Sequence, residues 1–135
     1  DRTPFTTWGG YGGLCFRGTR NWQKTIVTLS DGSTTERPVG SSGQWADLSG
    51  KLDGGPAQTG GFAIFDHPAN PRHPTPWYGG AEKHQNYLNP AFLFHEPLAQ
   101  QAGQALVLRY RVLIHDNLWD GQRLQRAYDD YAVGR

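Results

Sequence analysis

The sequence contains no methionine, one cysteine and no long apolar run, and each deficit narrows what the protein can be. With no start methionine and nothing resembling a signal peptide at Asp1, we expect the C-terminal portion of a longer protein. Cys15 alone excludes an internal disulfide and a metal-binding cysteine pair, which leaves the cytoplasm slightly favoured as the compartment. The apolar runs at 91–94 and 105–108 are four residues long, whereas crossing a bilayer takes roughly 20. We therefore expect a soluble protein that does not enter a membrane.

An excess of charge of either sign is also missing. Lysine and arginine number 13 against 12 acidic residues, and no basic stripe follows the chain. This balance argues against nucleic acid as a partner. The 135 residues suit one domain, so we expect residues 1–135 to share a single core.

What the chain has in abundance is glycine and aromatic residues, with 18 Gly, five Trp, six Tyr and six Phe. Apolar alternation recurs in short segments, and only one segment has helical periodicity, which predicts an all-β fold. The fold class we expect is an antiparallel β-sandwich with one C-terminal α-helix and a long proline-rich loop. The predicted strands are residues 13–18, 25–30, 34–39, 44–48, 61–65, 91–96 and 105–115.

The last two elements are the most strongly patterned. Residues 105–115 alternate, and the pattern assigns one apolar face to the core, namely Leu106, Leu108, Tyr110, Val112 and Ile114. The helix is predicted to begin after Asp120 as N-cap and to end at Gly134. It should cover the sheet with an apolar stripe at helical spacing, consisting of Leu124, Ala127, Tyr128 and Tyr131.

The most unusual stretch is GFAIFDHPANPRHPTPW, residues 61–77. A buried strand is followed by four prolines, which disfavour both a strand ladder and a helix. We expect a stiff loop from His67 to Pro90, folded over one end of the sandwich as a pocket wall.

The candidate catalytic residues are His67, His73, His95 and Glu96. Histidine and carboxylate side chains could hold a metal ion, or one histidine could exchange protons with Glu96 or Asp66 across a ligand. The third alternative is that the loop histidines only bond to backbone carbonyls. The spacing does not choose among these alternatives, so the metal and any cofactor stay unknown.

The candidate ligand-binding residues are Asn70, Arg72, Trp77 and Arg17. Arginine binds carboxylates and sugar hydroxyls, and tryptophan stacks on apolar sugar faces. Trp77 is preferred over Trp8, Trp22 and Trp45 because it lies inside the proline-rich stretch.

Four segments together carry a resemblance: GGLCFRG, the stretch at 61–77, NPAFLFHEP and LRYRVLIHD with the helix that follows. They resemble the C-terminal half of the PmoA-like family of soluble, β-rich bacterial proteins. The methane-oxygenase label of that family does not transfer, because such a subunit needs membrane-spanning helices. The resemblance implies a sugar-related role, and the matching positions are His67, Asn70, Arg72, His73, Trp77, His95 and Glu96.

These observations lead to one functional hypothesis and two alternatives. The first is a carbohydrate-processing enzyme with a pocket lined by His, Arg and Trp side chains. The alternatives are a non-catalytic carbohydrate- or protein-binding module and a metal-dependent oxygenase or hydrolase. The expected partners are a sugar-like small molecule and either a missing N-terminal half or a second copy of the chain. We further expect His67, Arg72, His73 and His95 to converge on one pocket.

Overall fold

The computed structural model describes residues 12–55 and 58–134. Trp8, one of the tryptophans weighed for ligand stacking, lies outside these ranges. In chain order the strands are β1 (Phe16–Arg17), β2 (Gln23–Leu29), β3 (Thr34–Thr35), β4 (Val39–Gly43), β5 (Trp45–Lys51), β6 (Thr59–Asp66), β7 (Thr75–Gly80), β8 (Tyr87–Pro90) and β9 (Tyr110–Asp116). The helical elements are a 3₁₀ turn (Glu82–His84) and helix α1 (Gly121–Ala132).

The strands form two antiparallel sheets, as predicted for an all-β sandwich. One sheet has the order β1-β8-β7-β4 and the other the order β3-β2-β5-β6-β9. Alternating side chains of both sheets meet in an inner core, in which Val27, Leu48, Ile64, Trp77 and Leu88 are fully buried. The opposite side of the five-stranded sheet is covered by α1, so the domain has three layers.

The β2–β3 hairpin forms where the sequence predicted it. Leu29 and Ser33 close the turn, and Asp31 accepts hydrogen bonds from both the backbone N–H and the hydroxyl of Ser33. Gly32 has φ of +83°, a conformation that favours glycine. The return strand is short because the chain leaves for the other sheet after Thr35.

Helix α1 also follows its prediction. The Asp120 carboxylate accepts the N–H of Arg123, which satisfies one of the helix's unpaired donors. Leu124 and Tyr128 are buried in a helix-side core with Trp45 and Phe65. With 12 residues in α1, no helix in the described part of the chain is long and apolar enough to cross a membrane.

The predicted loop at 67–90 is wrong in extent, because strand β7 begins at Thr75 and β8 follows. Only residues 67–74 are irregular before β7. Pro76 and Pro90 each lie near the end of a strand, where losing one N–H donor is tolerated.

The predicted strand at 91–96 is also absent. Phe94 donates its N–H to the carbonyl of Ala91, which makes a turn. Arg72 donates to the carbonyls of Phe92, Glu96 and Pro97. An extended strand turns successive carbonyls to opposite sides, so this gathering of carbonyls around one side chain is incompatible with it.

The last strand differs from its prediction in length and in its buried face. It begins at Tyr110 rather than Ala105, and Val112 and Ile114 of the predicted core face are 43% and 77% exposed. The reason is that β9 is the edge strand of its sheet. The inner face of an edge strand is covered by fewer residues than that of a central strand. Leu113 and His115, on the opposite face, pack instead.

The ring of His115 lies directly over Gly61 of the neighbouring strand. A Cβ placed on Gly61 would be 2.2 Å from two ring atoms of His115 and 3.0 Å from a carboxylate oxygen of Asp47. Gly61 is therefore required by close approach.

We predict that Gly61→Ala lowers the free energy of unfolding by about 2 kcal/mol or more, because the core must shift to admit the methyl group. Gly121→Ala is the matched control, since a Cβ there meets nothing within 4 Å and alanine favours the helix. Urea denaturation of both variants measures the difference. Equal stability of the two variants would contradict the close packing of His115 on Gly61.

Candidate functional site

The candidate site is built around Asp66, the last residue of β6. Asp66 is 1% exposed, and both of its carboxylate oxygens are bonded to side chains of the loop at 67–74. Oδ1 accepts from Asn70 Nδ2 at 2.7 Å, and Oδ2 lies 2.7 Å from His73 Nδ1. Burial raises the pKa of Asp66, and the hydrogen bonds from Asn70 and His73 offset part of that shift.

Asn70 fixes the loop against the chain just before β9. Its Nδ2 also donates to the carbonyl of Arg109 at 2.6 Å, and its Oδ1 accepts the N–H of Arg109 at 2.7 Å. The side-chain amide of Asn70 thus bonds to both the C=O and the N–H of Arg109, as the backbone of a neighbouring strand would. Asn70 is buried, and its amide is bonded within the protein. It is therefore not free to make the ligand contact that the sequence predicted for it.

His73 is held between Asp66 and the helix. With Nδ1 bonded to the Asp66 carboxylate, the second ring nitrogen, Nε2, lies 3.4 Å from the hydroxyl of Tyr128. Burial, followed by the negative charge of Asp66, raises the pKa of Tyr128 to about 12, so its hydroxyl keeps its proton. The His73 side chain is 16% exposed, which leaves part of the ring in contact with solvent.

Further polar and aromatic groups surround this pair at the C-terminal half of α1. His67 packs its ring against the edge of Tyr131 at 5.4 Å between centroids, and its Nδ1 accepts the N–H of Ala69. The guanidinium of Arg111 lies 4.7 Å from the centre of the Tyr131 ring. Burial raises the pKa of Tyr131, while the charges of Arg111 and Arg109 oppose that rise.

Arg72 points away from this cluster. It has a left-handed backbone conformation with φ of +64°, which is unfavourable for arginine and is stabilised by three hydrogen bonds to carbonyls of residues 92–97. Its guanidinium also lies 3.3 Å from the Glu96 carboxylate. Arg72 and Glu96 together anchor the segment that follows β8.

Trp77, His95 and Arg17 also lie away from His73. Trp77 is fully buried in the inner core and donates to the carbonyl of Gly43, so it offers no stacking face to a ligand, contrary to expectation. His95 Nε2 contacts the carbonyl of Gly40, and Arg17 lies on β1 of the four-stranded sheet.

Of the four residues expected to converge, His67 and His73 share the neighbourhood of α1 through Tyr131 and Tyr128. The residues that the sequence did not single out for the site are Tyr128, Tyr131 and Arg111. The apolar stripe of the helix predicted that both tyrosines face the sheet. It did not indicate which polar groups contact them.

A second histidine–carboxylate pair consists of Asp47 and His115, and the ring of His115 stacks on Trp119 at 4.8 Å between centroids. His115 Nε2 is 3.0 Å from Asp47 Oδ1, its Nδ1 is 2.9 Å from the carbonyl of Asn117, and both side chains are buried. Both ring nitrogens face acceptors, which favours the doubly protonated ring. Burial disfavours that cation, but the hydrogen bond and charge of Asp47 outweigh it and raise the pKa of His115. The pair joins β5 to β9 across the strand that lies between them, β6.

Comparison with known proteins adds a family and no activity. Residues 1–129 match the family described as "Family of unknown function (DUF6807)". The chain belongs to the DUF6807 family. No curated protein and no solved structure matches the sequence. For this DUF6807 chain the function must be argued from geometry.

We predict that Asn70→Ala lowers the free energy of unfolding by about 2–3 kcal/mol, because it leaves Asp66 and the backbone of Arg109 short of buried partners. Asn21→Ala is the control, since Asn21 bonds to Asp53 on the surface and its loss should cost about 0.5 kcal/mol or less. Urea denaturation compares them. Similar losses for the two variants would show that Asn70 does not dock the loop.

We also predict a pH-dependent difference between the native protein and His115→Gln. A pKa raised on folding stabilises the folded state below the ordinary histidine pKa, and that contribution is lost as the pH rises through the folded value. The stability gap should therefore be largest below about pH 6.5 and should narrow above it. Asp66 titrates in both proteins and cancels in the difference. A gap that widens with pH in denaturation experiments would contradict the prediction.

Proposed function

We propose that this domain is a carbohydrate-processing enzyme in which His73 transfers a proton and Asp66 orients it. The observation that carries the proposal is the 2.7 Å contact between His73 Nδ1 and the buried Asp66 carboxylate. A carboxylate on one ring nitrogen fixes the tautomer and leaves the other nitrogen as the basic one.

The contact on the other ring nitrogen supports the same role. At 3.4 Å, the Tyr128 hydroxyl is near the limit of a hydrogen bond to His73 Nε2. A substrate hydroxyl could replace so long a contact at little cost. His115 lacks this property, because its two ring nitrogens lie 2.9 Å and 3.0 Å from acceptors within the protein.

The neighbours of His73 favour a polyhydroxylated substrate. His67, Tyr131 and Arg111 supply ring nitrogens, a phenol and a guanidinium around the same end of α1. A dense set of hydrogen-bonding groups beside aromatic rings is typical of sugar sites. The resemblance to PmoA-like proteins remains a prediction, and it points to the same class of substrate.

The metal-dependent alternative has less support from the donor set. Across residues 12–55 and 58–134, no three His, Cys, Asp or Glu side chains are grouped in a way that could hold a metal ion. Glu96, one of the predicted ligands, pairs with Arg72 instead.

The test is a turnover screen on neutral and acidic oligosaccharides, followed by His73→Gln. Because a positioned acid–base group contributes roughly 10²–10⁴-fold, we predict a loss of that size in kcat/KM. His95→Gln is the matched control and should keep the native rate, since His95 contacts Gly40 rather than the Asp66 cluster. Thermal unfolding checks that both variants fold.

Two results would contradict the proposal. One is an active His73→Gln variant with a native rate, which removes His73 from the chemistry. The other is the absence of turnover across the panel while oligosaccharides still bind, which favours the non-catalytic binding module.

A further inference from the structure

The outer face of the four-stranded sheet carries an open cavity of about 270 Å³ with a concentration of basic groups. Alternation places Phe16, Trp77 and Leu88 in the inner core, so their neighbours on β1, β7 and β8 face outward. Among the residues that the structure describes, no aspartate or glutamate lines the cavity. Six of its lining residues are Arg17, Arg37, Tyr78, Lys83, His84 and Tyr87.

Arg17 is held in place by neutral partners. It lies opposite Tyr87 in the β1–β8 register, and its guanidinium is 5.9 Å from the centre of the Tyr87 ring. Its Nη1 donates to the side-chain oxygen of Gln85 at 2.8 Å. Because Gln85 is uncharged, these contacts orient the guanidinium without neutralising its charge.

Arg37 is oriented from the other side through Tyr78. The rings of Tyr78 and Tyr87 meet edge to face, 5.5 Å between centroids. Hydrogen bonds from Tyr87 and then Arg37 to the Tyr78 hydroxyl hold the pKa of Tyr78 below its ordinary value. The two phenols thus lie between two arginines, with Arg17 on one side and Arg37 on the other.

The 3₁₀ turn brings Lys83 and His84 over the same cavity. A Cβ on Gly80 would be 2.2 Å from the Cβ of His84, so the turn packs this closely on β7 because residue 80 is glycine. Two acidic side chains lie nearby, outside this lining. Glu82 accepts the N–H of Lys24 at 2.9 Å, and it lines both a neighbouring cavity of about 540 Å³ and, together with Glu36, a cavity of about 30 Å³.

We propose that this outer cleft binds the oxyanion of an acidic ligand, that is, a carboxylate, sulfate or phosphate group. Arginine forks and a lysine ammonium are the groups that recognise oxyanions, and here they surround one cavity with no competing carboxylate in its wall. The neighbouring cavity of about 540 Å³ shares Arg17 and Gln85 as a wall, and its lining also includes Thr19, Arg20, Asn86 and Glu82. It offers room for the polar remainder of the ligand, and an acidic oligosaccharide fits this description.

This site does not depend on the proposed enzyme activity. The cleft is on the four-stranded sheet, whereas His73 contacts α1 on the far side of the five-stranded sheet. Failure of one proposal therefore leaves the other standing.

The test uses calorimetry on the full chain with four probes: an oligogalacturonate, a neutral galactose oligomer of equal length, inorganic phosphate and inorganic sulfate. We expect the oligogalacturonate to bind more tightly than the neutral oligomer, with an affinity that falls as salt is added. Arg17→Gln and Arg37→Gln should each weaken binding about tenfold or more. Arg126→Gln, which removes the same charge from the exposed side of α1, should bind like the native protein.

The outcomes separate the possible sources of the oxyanion. Tight binding of phosphate or sulfate alone, lost in Arg17→Gln, supports the oxyanion site and assigns it to a free or ester-linked inorganic anion. Equal binding of the neutral and acidic oligomers, or native affinity in both arginine variants, overturns the proposal. Failure of all three anions to bind overturns it as well. Amide NMR spectra confirm that the exposed substitutions leave the fold intact.

Discussion

The burial of the Asp66 carboxylate is the constraint on which the site depends. A buried carboxylate costs several kcal/mol unless hydrogen bonds replace its lost hydration. Its partners, Asn70 and His73, both come from the loop at 67–74. That loop is therefore ordered by the need to satisfy one charge at the end of β6. The same contacts that stabilise the loop fix the orientation of the His73 ring.

A similar requirement shapes the segment after β8. The guanidinium of Arg72 has donors that need acceptors, and the carbonyls of residues 92, 96 and 97 supply them. The chain there turns instead of extending, although its apolar run at 91–94 lies in a segment predicted to be a strand. The local pattern was overridden by Arg72, whose side chain bonds to a carbonyl 20 residues further along the sequence.

Whether an element of the fold could be predicted depends on how far apart in the sequence its stabilising contacts lie. The β2–β3 turn and α1 depend on neighbours in sequence, such as Asp31 with Ser33 and Asp120 with Arg123, and both were predicted. The buried face of β9 depends on which strand lies at the edge of the sheet, a fact of topology that alternation does not carry. Val112 and Ile114 were assigned to the core for that reason.

The candidate site follows the same division. The sequence identified His73, Asp66 and the loop that joins them, because proline-rich polar stretches after a strand are locally visible. It did not pair Asp47 with His115, which are 68 residues apart, or place Trp77 in the core.

Burial also explains why the two histidine–aspartate pairs differ in their chemical prospects. In the Asp47 pair both nitrogens of His115 face acceptors within the protein and the ring is fixed over Gly61. In the Asp66 pair one nitrogen of His73 meets only a distant phenol and the ring keeps some exposure. Proton transfer requires a nitrogen that can exchange partners. This contrast is why we propose proton transfer for His73 and a stabilising role for His115, although both pairs consist of the same two residue types.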